Sequence, residues 1–233
     1  MTIKIQKNRE QFTKIIGVLK NLNLDILLDI KQDGINIKAV DFSNAALLKI
    51  KLKPALFEIY NIEKDQQIAL NLDQFHKLLS KFCNYIELII GEDNIILQND
   101  KNKFELRYII FDGNKNDIPD LQYENIYKIK SDNFFGELFS LFDISEFIKI
   151  SGEDKLKVSI AEKTIKGEVL IDAEKEKSNN KSANYNIGFF NKISDLKSIF
   201  EDIYFKFDDS IACTVSGDND IAEFKYIIAP AAD

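Results

Sequence analysis

Residues 85–110, YIELIIGEDNIILQNDKNKFELRYII, and residues 202–228, DIYFKFDDSIACTVSGDNDIAEFKYII, decide the fold, because they say the same thing twice. Each stretch is three strand-like runs separated by polar turn residues, and the two close on FELRYII and EFKYII. A helical pattern stands upstream of each. In LDQFHKLLSKF, residues 72–82, the positions Phe75, Leu78, Leu79 and Phe82 recur at i, i+3, i+4 and i+7. In FNKISDLKSIF, residues 190–200, Ile193, Leu196, Ile199 and Phe200 share one face.

Further upstream the match continues. Phe12, Ile15, Ile16 and Leu19 make an apolar stripe in NREQFTKIIGVLKN, as do Phe135, Leu138, Phe139 and Phe142 in SDNFFGELFSLFD. Two strand pairs follow, LDILLDIKQDGINIKAVD turning at QDG and EFIKISGEDKLKVSIAE turning at GED. Each half reads helix, strands, helix, strands. The expected fold class is therefore α+β, with two similar domains that each lay two helices on one side of antiparallel sheets. The expected boundaries are 1–110 for the first domain and 126–233 for the second. The turn-rich connector between them covers 111–125, with one proline at 119. The polar stretch DAEKEKSNNKSAN, residues 172–184, reads as a solvated loop.

Composition removes several function classes. The 233 residues are 45% hydrophobic, enough to bury one large core or two modest ones, and the net charge of −7 argues against a protein that coats polyanions generally. Any nucleic-acid contact must be local. Cys83 and Cys213 fit buried thiols of a reducing compartment better than a disulfide scaffold. The N-terminal MTIKIQKNREQF has no apolar signal-peptide core, and no run of 18 apolar residues occurs, so an intracellular protein is expected. His76 is the lone histidine, placed on the polar side of its helix, one turn before Ser80, with no partner arrangement for base catalysis. No GxxxxGK[ST] or GxGxxG is present, and the DND of SGDNDIAEF lacks the glycine and the final glutamate of a calcium loop. No enzyme, cofactor or metal is expected.

With these residues in hand the chain resembles the ring-shaped DNA sliding clamps of archaea and eukaryotes, the proliferating cell nuclear antigen family. DILLDIKQDGINIKAVDFSNAALLKIKL, residues 25–52, is similar to the family's first hairpin and following strand, with Asp33, Gly34 and Ala39, Val40 and Asp41 in register. NDIPDLQY at 116–123 is similar to its interdomain connector, and KYIIAP at 225–230 to its C-terminal signature. The resemblance implies the DNA clamp fold, with three subunits closing a ring around duplex DNA, helices lining the hole and sheets outside. The basic groups it places in the lining are Arg9, Lys14, Lys20, Lys77, Lys81, Lys192 and Lys197. Glu10, Asp73, Asp132, Glu137, Asp143 and Asp195 oppose them. The 131–143 helix has no basic residue where clamps usually carry one, so the hole is expected to be patchily positive.

The family also pairs a first-domain strand with a second-domain strand of the next subunit. The matching segments are KFELRYII at 103–110 and TIKGEVLI at 164–171. They put Lys103, Phe104, Glu105, Leu106, Arg107 and Tyr108 against Thr164, Ile165, Lys166, Gly167, Glu168 and Val169 of a neighbour. A pocket for clients' short peptide motifs is implied at Val40, Asn44, Ala45, Leu47, Ile118, Pro119, Tyr226, Ala229 and Pro230, with Ser210 where many clamps have a proline. The implied partners are double-stranded DNA, DNA polymerase, a clamp loader, flap endonuclease and DNA ligase, with an archaeal cytoplasm favoured over a nucleus. Two alternatives stay open: a paralogue in a heterotrimeric or checkpoint ring, and an enzyme on a duplicated α+β scaffold.

Overall fold

The structure, a computed structural model of the chain, describes residues 1–111, 121–152, 155–209 and 211–231. Two compact units account for it. The first takes Met1–Phe42, Leu48–Lys115 and Asn219–Phe224; the second takes Ser43–Leu47, Asn116–Asp218 and Lys225–Asp233. The core of the expected connector lies outside the described residues.

The first unit opens with β1 (Thr2–Ile5), α1 (Arg9–Lys20), β2 (Asp25–Lys31), β3 (Gly34–Val40) and β4 (Ala46–Leu52), whose first two residues belong to the second unit. It continues with β5 (Ile59–Asn61), β6 (Gln66–Asn71), α2 (Leu72–Leu79), β7 (Ile86–Ile90), β8 (Asn94–Gln98) and β9 (Lys103–Arg107). One antiparallel sheet has the order β5-β1-β7-β8-β9, so β9 is an edge. In a second run β2 lies between β3 and β6, with Leu28 opposite Ile37 and Ile68. The QDG turn between β2 and β3 forms as expected: Gly34 has φ +133, and a Cβ there would collide with the carbonyl of Leu52.

The two runs, alternating buried and half-buried, present apolar rows inward, and the helix stripes close over them. Ile3, Leu88 and Ile90 from one run, Leu28 and Ile68 from the other, and Phe12 and Phe75 from the helices line one interior. Phe12 meets Phe75 edge-on at 6.3 Å and Phe57 at 6.4 Å.

The second unit repeats the plan with β10 (Asn125–Lys130), α3 (Ser131–Phe142), β11 (Phe147–Gly152), β12 (Leu156–Ala161), β13 (Lys166–Ile171), β14 (Glu174–Lys177) and β15 (Ser182–Asn186). Then come α4 (Ile187–Lys192), a 3-10 segment at Ser194–Ser198, β16 (Asp202–Phe207), β17 (Cys213–Asp218) and β18 (Ala222–Ile228), whose first three residues belong to the first unit. One sheet runs β13-β12-β11-β15, with β13 at its edge. In the other, β10 pairs with β14 and β16, and β16 with β17. Phe134 is the hub of its core, within 5.2–5.9 Å of Phe135, Phe190 and Phe205 ring to ring.

Four expectations need correction. The 172–184 stretch is not a loop, since it supplies β14 and most of β15. Its turn is tied down by Asn125, fully buried, whose amide donates to Asn179 Oδ1 at 2.8 Å while its own oxygen accepts from the Asn179 N–H and Ser178 Oγ. The helix expected over 190–200 starts three residues earlier, at an Asn186 cap, and breaks into the 3-10 segment. The helix expected over 72–82 stops at Leu79. The α3 stripe is Phe134, Phe135, Leu138 and Leu141; Phe139 points away and is 63% exposed.

Candidate functional site

Three surfaces carry the residues singled out from the sequence. The first is the polar side of the helices. Arg9 opens α1 and Lys20 closes it, Lys77 lies in the last turn of α2, and Lys192 ends α4. Lys81 falls two residues beyond α2, and Lys197 rides on the 3-10 segment, because both helices are shorter than their apolar periodicity suggests.

Most of these amines are engaged. Lys14 pairs with Glu10 at 3.1 Å, one turn apart. Lys20 and Lys77 share Asp73 at 3.5 and 2.7 Å, and Lys197 pairs with Asp132 at 3.7 Å. The Lys192 amine sits 5.1 Å over the Phe189 ring. Among the described residues Arg9 and Lys81 make no ion pair. The Lys77 hydrogen bond holds the Asp73 carboxyl below the usual carboxylate range, against the pull of burial. His76 is half-buried rather than a free surface group: a methyl at Gly17 of α1 would lie 3.5 Å from its Nε2. Burial first, and the Lys20 charge second, lower its pKa.

The second surface is formed by two of the edge strands, β9 and β13. On β9, Lys103, Glu105 and Arg107 are exposed, Phe104 is half-buried and Leu106 is buried. Tyr108 lies past the strand end, its N–H donating to the Asp93 carbonyl, and Ile110 is 92% exposed. On β13, Lys166 and Glu168 are exposed and Gly167 and Val169 half-buried, while Thr164 and Ile165 precede the strand, where the Glu162 N–H donates to the Ile165 carbonyl at 2.8 Å. Each edge has a helix packed beside it, α2 on β9 and α3 on β13. Phe82 meets Phe104 edge-on at 5.9 Å, and Ser145 Oγ donates to Glu162 Oε1 at 2.7 Å. Both helices thus end near the start of their edge strand. Near β13 the exposed Ile165, already assigned to the edge, is joined by exposed apolar groups that sequence reasoning did not assign to it: Phe139, Ile144 and Leu170. The signal available was the α3 stripe, which leaves at least one phenylalanine outside whichever way it is drawn.

The third surface belongs to the loop after β3 and the C-terminal tail. Within the second unit the Ala229 N–H donates to the Ala45 carbonyl at 2.8 Å, and the Ala231 N–H to the Asn184 carbonyl at 2.8 Å. These bonds fix the apolar tail as an extended segment beside residues 43–47. Asn44 takes the left-handed conformation, φ 58, that turns this loop. Ala45, Leu47, Ala229 and Pro230 are half-exposed and Asn44 is exposed. Tyr226 is buried beneath them, its hydroxyl donating to the Phe189 carbonyl at 3.1 Å. Val40, half-exposed, ends β3, and its carbonyl accepts from the Asn23 amide at 3.0 Å. Ile118, Pro119 and Ser210 lie outside the described residues. Just downstream of them the Tyr123 hydroxyl donates to the Ala212 carbonyl at 3.0 Å and lies 2.6 Å from Thr214 Oγ1, anchoring the chain where it enters β10.

Cys213 is buried, which pushes its thiol pKa up, and Cys83 is exposed. Among the described residues no three His, Cys, Asp or Glu side chains are placed to hold a metal ion, and no helix is long and apolar enough to cross a membrane.

Comparison with known proteins gives a consistent result. Residues 3–134 match the sequence profile of the proliferating cell nuclear antigen N-terminal domain, more than half of the chain. A DNA polymerase sliding clamp of Nitrosopumilus maritimus is 27% identical over 166 residues, 70% of this chain and 66% of that protein. One from Methanococcus maripaludis is 26% identical over 190 residues, 78% of this chain and 75% of its own. The crystal structure of a PCNA2–PCNA3 complex from Sulfolobus tokodaii superposes with a TM-score of 0.89 at 19% identity, covering 100% of both chains, which shows a shared fold.

Proposed function

The chain belongs to the proliferating cell nuclear antigen family, and from that premise we propose that it is a DNA polymerase sliding clamp: a ring that encircles duplex DNA and tethers replication and repair proteins to it. The observation that carries this reading is that two of the sheet-edge strands, β9 in one unit and β13 in the other, are the two segments whose sequence matches the family's inter-subunit strands. An open edge invites aggregation unless another strand covers it. Two unlike edges on one chain make a head-to-tail contact, and such contacts form a ring when the rotation closes. A ring holds DNA by topology, so its lining needs only sequence-independent phosphate contacts. Catalysis has no place in this reading.

Charge and apolar placement favour a second copy of the same chain as the neighbour. In antiparallel pairing the end of β9 meets the start of β13. Arg107 and the exposed Ile110 stand at or just past the end of β9, while Asp143, Glu162, Ile144 and Ile165 stand near the start of β13. Arg107 then faces carboxylates and Ile110 faces Ile144 and Ile165. Identical neighbours, with the three-subunit ring that the family resemblance implies, make a homotrimer the first reading. A mixed ring is the second reading, favoured by the acidic α3. Light scattering on the purified protein checks the first: it predicts three times 26.8 kDa, reduced to the single-chain mass by Ile110→Asp with Ile165→Asp. A stable monomer in the wild type refutes the homotrimer.

Client proteins, namely polymerase, clamp loader, flap endonuclease and DNA ligase, dock through short motifs of a glutamine, an aliphatic residue and two aromatics. Asn44, Ala45, Leu47, Ala229 and Pro230 are assigned to this contact, with Tyr226 buried beneath them, and the family resemblance adds Val40, Ile118 and Pro119. Support comes from the tail, whose bonds to Ala45 and Asn184 hold apolar residues in place in an extended conformation. Ile118→Ala with Pro230→Ala weakens a client peptide about tenfold, the loss of one modest hot spot, with the oligomer mass unchanged. Unaltered affinity in a titration sinks the assignment.

A further inference from the structure

The lysines offered to DNA are held by carboxylates of the same chain. In the first unit Asp73, in the first turn of α2, stands between two amines: Lys20 from α1 at 3.5 Å from Oδ1, and Lys77 one turn along α2 at 2.7 Å from Oδ2. The second unit has a counterpart with the roles of the elements exchanged, Asp132 of α3 at 3.7 Å from Lys197 on the 3-10 segment. These groups are accessible, since Asp73 is 36% and Lys77 70% exposed, so a phosphate can reach the same amines. Surface ion pairs of this kind are weak and give way to a competing anion.

We propose that Asp73 is an internal competitor for DNA phosphate, so that Lys20 and Lys77 contact the duplex by exchanging one anion for another. The inference rests on the DNA-encircling reading above. Its physical content is a charge count. When a phosphate takes either lysine, the Asp73 carboxylate stays behind at the DNA-facing surface and cancels one positive charge there. Fewer counterions are released per contact, so binding is weaker and less salt-dependent than the lysines alone imply. The same carboxylate keeps both amines extended and ready while no phosphate is near. A ring with such a lining passes along DNA with little cost per step, because a lysine leaving one phosphate is received by the aspartate.

The test compares wild type, Asp73→Asn and Glu63→Gln by anisotropy on a short fluorescent duplex over a salt series. Asp73→Asn keeps the shape and removes the charge, while Glu63, exposed and on the loop after β5, is a control for net charge alone. Asp73→Asn raises low-salt affinity by about threefold or more and steepens the slope of log affinity against log salt by about 0.9 for each subunit engaged. Glu63→Gln leaves the slope unchanged. With Lys20→Ala and Lys77→Ala also present, the gain from Asp73→Asn disappears. If wild type shows salt-dependent binding and Asp73→Asn matches it in affinity and slope, the competitor role is overturned and the clamp reading stands. Equal slope increases in Asp73→Asn and Glu63→Gln also overturn it, leaving only net charge. If wild type shows no salt-dependent binding to the duplex, Lys20 and Lys77 meet no phosphate and this inference falls, while the clamp reading is decided separately by retention on circular DNA.

Discussion

The first unit's helices and the second unit's helices solve the same packing problem with different surfaces. α2 and α4 both open on an asparagine whose Oδ1 accepts a first-turn backbone N–H, Asn71 from Gln74 at 3.1 Å and Asn186 from Gly188 at 2.8 Å. α1 and α3 both run 12 residues with an apolar stripe against a sheet. Their outward faces differ. α1 carries Arg9, Lys14 and Lys20 against Glu10, whereas α3 carries Asp132 and Glu137 with no base, and exposes Phe139. The inward face answers to a close-packed core and leaves little freedom. The outward face answers only to what it meets, so the first helices of the two units differ in charge although they share a plan. The acidic, aromatic surface of α3, packed against β13, suits the contact with a neighbouring chain better than contact with DNA.

That contrast can be broken or sharpened by experiment. The largest effect lies in the cores. Phe134→Ala and Phe12→Ala each cost about 3–5 kcal/mol in urea unfolding, with Phe134→Ala the more severe, because its ring meets three other phenylalanines and that of Phe12 meets two. An equal or smaller loss at Phe134 says that the second core repacks more readily than its contacts suggest. Next come the linings. Lys77→Glu with Lys81→Glu lowers retention on circular DNA at low salt about tenfold, and Lys192→Glu with Lys197→Glu about threefold. Equal losses erase the asymmetry.

The smallest effect concerns His76. Its folded pKa is lowered, so the neutral ring contributes stability that is present above the unfolded value and lost as pH falls through the folded one. Between about pH 7 and pH 5 the wild type therefore loses more stability than His76→Gln, read as the shift in unfolding midpoint. Parallel pH dependence in the two proteins contradicts the packing of His76 on α1.

Apolar periodicity made the repeats, most strands and the α1 and α2 stripes legible, because burial dictates spacing. Phe139 was misplaced because Phe134, Phe135, Leu138, Phe139, Leu141 and Phe142 outnumber the positions one face can bury, and only packing against β10 and the α4 region selects among them. Residues 172–184 looked solvated because EKEK shows no alternation; its order comes from the buried Asn125, 49 residues before Glu174 at the start of β14, which periodicity cannot see. Of the ion pairs on the helices, Glu10–Lys14 and Asp73–Lys77 follow from i,i+4 spacing. Lys20–Asp73 and Asp132–Lys197 join different elements and needed the fold. The site residues followed a resemblance in order and register, and the structure adds where each of the described ones stands.

Topological linkage to DNA tests the central claim most directly. The protein is loaded onto a nicked circular plasmid by its clamp loader, separated from free protein by gel filtration at high salt, and the complex is then cut once with a restriction enzyme. A closed ring co-elutes with the circle and leaves after linearisation. Protein that never co-elutes with the circle, or that stays bound equally after the cut, contradicts encirclement and with it the sliding-clamp account.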